Sequence, residues 1–119
     1  MTEVEAKLLS TSRQASQIFQ TRDPPQDQLK FLVNQYTQGK LREALKYAKF
    51  LLQQFPRSAV LFNINGAILQ GLKQFNLSKE AYCKAINIKP DYTEGLINYG
   101  FVLQKLQNYS LASVYFEKA

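Results

Sequence analysis

Compared with itself at fixed offsets, the chain repeats at one spacing, 34 residues. A period of that length implies a stack of equivalent units rather than one closed core. Pro56 recurs as Pro90. Leu32, Gly66 and Gly100 align, as do Leu41, Phe75 and Tyr109. The same offset joins Ala44, Ser78 and Ala112; Ala48, Tyr82 and Phe116; and Leu51, Ala85 and Ala119. Each column holds one size class, and the first unit departs most, with Leu32 in the glycine column and Ala48 in the aromatic one.

Within a unit the apolar spacing is helical, as in Phe62, Asn65 or Gly66, Leu69 and Leu72, followed by Phe75, Ser78, Tyr82, Ala85 and Ile86. Two helices fit each period. The spacing predicts helices over 26–38 and 41–55, 59–72 and 76–88, and 93–106 and 109–119. The breaks fall at Gly39, Pro56 and Pro90, where a glycine past a helix end or a ring without an N–H is tolerated. Ser58 and Asp91 sit where a side-chain oxygen could cap the next helix. The smallest residues, Gly66 and Gly100 with Ala44, Ser78 and Ala112, are expected where the helices of a hairpin cross closely, with Phe75, Tyr82, Tyr109 and Phe116 filling the space to the next unit.

The stretches "FNINGAIL…KQFNLSKEAYCKAINIKP" and "LINYGFVL…QNYSLASVYFEKA" follow the aromatic, Gly, aromatic, small, aromatic, Ala, Pro order of the tetratricopeptide repeat family, which the chain resembles over about residues 25–119. The resemblance implies an all-α solenoid, an α-α superhelix of about three antiparallel helix-turn-helix repeats. These are 25–58, 59–92 and an incomplete 93–119, whose second helix is cut short as in a piece of a longer protein.

The family's first helices line a concave face. In that register the first unit presents Leu29, Val33 and Tyr36, the second Asn63, Ala67 and Gln70, and the third Glu94, Asn98, Phe101 and Gln104. An apolar and amide lining of this kind suits an extended peptide or a helix. The branch of the family that grips chaperone tails uses lysine, arginine and asparagine there. Here Leu29, Val33 and Ile64 take matching places and Glu94 stands where a lysine is wanted, which argues against that ligand.

Ahead of "DPPQ", Val4, Leu8, Ala15, Ile18 and Phe19 share one helical face, and Thr2 with Glu5 makes a capping box. Ser10, Thr11, Ser12 and Ser16 lower the helix propensity. Residues 1–24 therefore read as an amphipathic helix or a flexible tail.

The chain has 119 residues, 45% of them hydrophobic, which bounds it to one domain. It has no apolar run of about 18 residues and begins polar and acidic, so it is expected to be soluble and cytoplasmic, without a membrane span. With no histidine and the single Cys83, a zinc site cannot be assembled from His and Cys, and no metal or cofactor is expected. No phosphate-cradling glycine loop or nucleophile–base pair is present, and the nine carboxylates are scattered. The chain therefore reads as a non-enzyme. The net charge of +6 comes mainly from Lys40, Arg42, Lys46, Lys49, Lys79 and Lys84, on second helices and so on the convex side. Without interleaved arginine and aromatic residues they favour solubility over RNA, and nucleic acid is not the expected partner.

The expected function is protein–protein interaction, through the groove or through self-association by an uncapped last hairpin or the N-terminal segment. Leu103, Leu106, Val114 and Tyr115 are expected to be exposed there. The alternative is a substrate-recruiting arm of a larger bacterial glycosyl-, sulfo- or methyltransferase, whose opening repeats residues 26–69 resemble.

Overall fold

The computed structural model describes residues 23–119. The expected N-terminal helix or tail falls on residues outside that range, apart from Asp23 and Pro24. Six helices follow one another: α1 (Gln26–Thr37), α2 (Leu41–Gln54), α3 (Ala59–Gly71), α4 (Phe75–Ile88), α5 (Thr93–Lys105) and α6 (Tyr109–Lys118), and no strand occurs among the described residues. Each helix packs antiparallel on the next, and α1, α3 and α5 also touch in series. This is the all-α helical solenoid expected from the period. The expected last residues Gln38, Phe55, Leu72 and Leu106 are the C-caps, and α4 begins at Phe75, one residue earlier than its spacing suggests.

The turns explain the period's punctuation. Between units, the Ser58 N–H bonds the Phe55 carbonyl at 3.3 Å and the Tyr92 N–H bonds the Lys89 carbonyl at 3.1 Å. Pro56 and Pro90 thus take the second position of four-residue turns, where a fixed φ is an advantage and an N–H is not needed. Ser58 then caps α3, accepting from the Leu61 N–H at 3.2 Å and donating to Asp23 Oδ1 at 2.5 Å. The cap expected of Asp91 is not found: Tyr92 holds the N-cap of α5 and makes no side-chain cap bond. The reason is register, since Tyr92 and not Asp91 lies one period beyond Ser58.

Inside each unit the hairpin turn has one shape. The residue after the C-cap is left-handed, with φ of 79° at Gly39, 62° at Lys73 and 65° at Gln107. Each turn carries the paired bonds that close a helix this way: Lys40 N–H to Gln35, Gln74 N–H to Leu69, and Asn108 N–H to Leu103, at 2.8–2.9 Å. Glycine adopts this φ freely, whereas a side chain there is strained by about 1 kcal/mol. Lys73→Gly and Gln107→Gly are each expected to raise stability by about 0.5–1 kcal/mol and Gly39→Ala to lower it by a similar amount, read from urea midpoints at unchanged slope.

Two clusters form the core. Leu32, Ala44, Ala48, Leu51, Phe55, Leu61 and Ile68 join the first two units. Tyr82, Tyr99, Val102, Leu103 and Ala112 join the second and third. A Cβ on Gly66 would stand 2.6 Å from two carbons of the Tyr82 ring, and one on Gly100 would stand 2.5 Å from the Phe116 ring. The glycines are therefore required by an aromatic ring pressed against the facing helix. In the first unit the sizes are exchanged, with Leu32 and Ala48 both fully buried in one cluster. Ser78, also fully buried, donates to the Gly66 carbonyl at 2.7 Å across the same crossing.

The exposure expected of the last hairpin needs correction. Leu103 is buried with Tyr99 and Val102, Leu106 is half-buried, and Tyr115 is half-buried against the Tyr99 ring, 4.5 Å between centroids; of the four, Val114 is the exposed one.

Candidate functional site

The face shared by α1, α3 and α5 is where the family register places a binding groove. Val33 and Tyr36 on α1 and Phe101 and Gln104 on α5 are exposed, while Leu29, Ala67, Gln70 and Asn98 are half-buried. Val33, Tyr36 and Phe101 keep 39%, 37% and 48% of their surfaces open, far more than side chains of this size retain in a packed core.

Asn63 is placed differently. It is buried, its Oδ1 accepts from Asn98 Nδ2 at 3.0 Å and its Nδ2 donates to the Tyr92 hydroxyl at 3.4 Å. The sequence register brought Asn63 and Asn98 to one face; the structure joins them as a tie between α3 and α5. Gln70 is likewise engaged, its Oε1 accepting from the Tyr82 hydroxyl at 2.9 Å. The exposed part of the lining is thus mainly apolar, with Gln104 as an open amide.

Glu94 lies at one end of this face. It borders a cavity of about 530 Å³ shared with Asp23, Arg57, Lys89 and Tyr92, a mixed-charge rim rather than a cationic clamp. Burial raises the Tyr92 phenol, the Glu94 carboxylate raises it further, and the bond from Asn63 pulls the other way.

Tyr92 was not singled out from sequence, although its place one period after Ser58 marks it as a unit boundary. On the opposite side, Asn65 and Ala81 were missed as well. The available signal was a column change, since tyrosines stand 34 residues beyond both.

Among the described residues no three His, Cys, Asp or Glu side chains gather as a metal site, and no helix is long and apolar enough to cross a membrane.

Residues 66–92 match the family model of the tetratricopeptide repeat. Solved structures share the fold at low identity. A MamA structure from Desulfovibrio magneticus RS-1 is 19% identical with a TM-score of 0.73, covering 76% of this chain and 51% of its own. The second TPR of Spaghetti (RPAP3), bound to HSP90 peptide SRMEEVD, is 14% identical with a TM-score of 0.73, covering 77% of this chain and 85% of its own. The TPR2B domain of yeast Sti1, in complex with an Hsp70 peptide, is 17% identical with a TM-score of 0.74, covering 77% and 74%. The chain spans about half the length of the MamA chain it matches. No curated protein matches the sequence. The family match lies in the middle unit of the stack, and the solved structures share the helical-repeat fold of the described chain.

Proposed function

We propose that the chain is a protein-interaction module that holds an extended segment or an amphipathic helix against α1, α3 and α5, and that its activity is binding rather than catalysis. The observation that carries this reading is the row of open apolar side chains, Val33 and Tyr36 on α1 and Phe101 on α5, with α3 between them tied to α5 through Asn63 and Asn98. Such a row gives contact area, and Gln104 can pair with main chain. The peptides bound in the RPAP3 and Sti1 structures support the mode of binding. The ligand chemistry is expected to differ, because Leu29, Val33 and Glu94 offer nothing to an acidic tail.

Self-association is a second reading, favoured by open apolar side chains at both ends of the stack: Phe31 and Phe50 at one, Tyr109 and Val114 at the other. A recruiting arm of a transferase is compatible with either mode.

A photo-crosslinking residue placed at Val33 or Phe101, and separately at Lys46 on the convex side, separates these readings in the full-length protein. Crosslinks to a second protein from the concave positions are expected whether or not Lys46 also captures one, and Phe101→Glu should reduce the concave yield by at least about tenfold. Crosslinks joining two copies would favour self-association. Capture from Lys46 alone would overturn the groove reading.

A further inference from the structure

The side formed by the second helices, which the family register makes convex, holds a void at a place that the next unit packs. Between α2 and α4, over the back of α3, lies a cavity of about 210 Å³ whose floor includes Asn65 and Ala81. One period on, the matching positions are Tyr99 and Tyr115. Those two rings meet edge to face at 4.5 Å and belong to the core between the second and third units. The same place in the solenoid is therefore packed by two aromatic rings in one groove and left open in the other.

The open groove has an unmet hydrogen-bonding need. Asn65 keeps only 9% of its surface, and its Oδ1 is buried without a partner. A buried acceptor left unpaired is costly, so a donor entering the void gains from it. Leu45, Leu69 and Leu77 form the apolar part of the walls, with the Gln74 amide beside them, and Leu77 is half open. The charged side chains of the rim are Lys49 and Lys84, against one carboxylate, Glu80. The groove continues past Phe62 and Lys84 into a second hollow of about 380 Å³ that adds Arg57 and no acid. Lys84 already stands 5.6 Å over the Phe62 ring, so it is placed along the groove rather than away from it.

We propose that this convex groove docks an acidic segment of a partner protein, which inserts one tyrosine or tryptophan side chain between α2 and α4. The ring takes the place that Tyr99 and Tyr115 fill in the next groove, its O–H or N–H donates to Asn65 Oδ1, and flanking carboxylates meet Lys49, Lys84 and Arg57. The space is below the ~300 Å³ of a usual small-molecule pocket, which suits one side chain as an anchor. The site lies on the face opposite the groove of the proposed function and does not depend on it.

The probe is a short peptide with one tryptophan between runs of glutamate, titrated into the whole chain by tryptophan fluorescence at low salt, since the protein has no tryptophan of its own. Amide shifts in NMR spectra are expected at Asn65, Leu77 and Ala81 and not along α1 or α5. N65Y/A81Y installs the pair that the next unit already packs. It should fold with an unchanged or higher melting temperature and bind the peptide at least about tenfold more weakly. K49E/K84E changes only exposed side chains and should lose binding to a similar degree, and a phenylalanine peptide, lacking the donor, should displace the tryptophan one only at several-fold higher concentration. Absence of binding to the parent protein, or undiminished affinity in either double variant, overturns the proposal.

Discussion

Gly66→Leu is expected to cost about 3 kcal/mol or more, and Tyr82→Ala about 3–5 kcal/mol, yet the two together should cost at least about 2 kcal/mol less than their sum. Even the first carbon of a side chain at Gly66 falls 2.6 Å from the Tyr82 ring, and that ring is 1% exposed, with no free space to retreat into. Tyr82→Ala removes the same ring and leaves the Gln70 side chain without the hydroxyl it accepts from. The double change reproduces the Leu32 and Ala48 pair that the first unit buries completely at these positions. A small domain holds only about 5–10 kcal/mol, so the series is best started from Gly66→Ala, followed by Gly66→Leu with and without Tyr82→Ala, in urea titrations of helical circular dichroism. Additive losses would mean that the size columns do not meet across the hairpin.

That pair also shows what the sequence carried and what it could not. Helix ends were legible because their causes are local: a proline in the second position of a turn, a glycine past a C-cap. The small and large columns were legible because each hairpin repeats one crossing. The departure at Leu32 and Ala48 is visible in sequence as an irregularity, and only the packing shows it as an exchange of the large partner from one helix to the other. The left-handed turn at Lys73 and Gln107 left no residue-type signal, since neither is a glycine; the column running from Gly39 was the available clue. Asn63 reads as groove lining when its own helix is considered alone. It is covered because Asn98 and the Tyr92 hydroxyl reach it from the following unit, a contact 29 to 35 residues away in the chain. Exposure is the expectation for Leu103 on a different ground, an uncapped last hairpin, yet it is covered by α6 and the Tyr99 region of the core. The void over Asn65 is of the same kind: a column of residue types shows that a tyrosine is missing there, and only packing shows that nothing else moves in.

Raising the pH from about 10 towards 12 should unfold the domain cooperatively, with the phenols as the cause. Burial pushes the Tyr82 phenol well above its ordinary value, with Ser78 opposing and Tyr36 adding to the rise. Burial also pushes Tyr99 up to about 12, with Cys83 and Tyr115 adding to it. In the unfolded chain a phenol loses its proton near pH 10. Above that point the native state still holds protons that the unfolded state has released, so stability falls as pH rises. Between the unfolded and folded values each such group contributes a slope of up to about −1.4 kcal/mol per pH unit, and Tyr82 with Tyr99 together up to about −2.8, a large share of a small domain's stability within two units. The stabilisation is complete below the unfolded value and is lost as pH rises towards the folded ones. Tyr99→Phe, which keeps the ring and removes the titrating group, should flatten the decline by about half while leaving stability at neutral pH within about 1 kcal/mol. Phenolate absorbance and helical circular dichroism, followed together, should show a step in which Tyr82 and Tyr99 ionise only as the helices melt. Full ionisation of all tyrosines with the helical signal intact past pH 12 would show that these hydroxyls reach water in the folded chain.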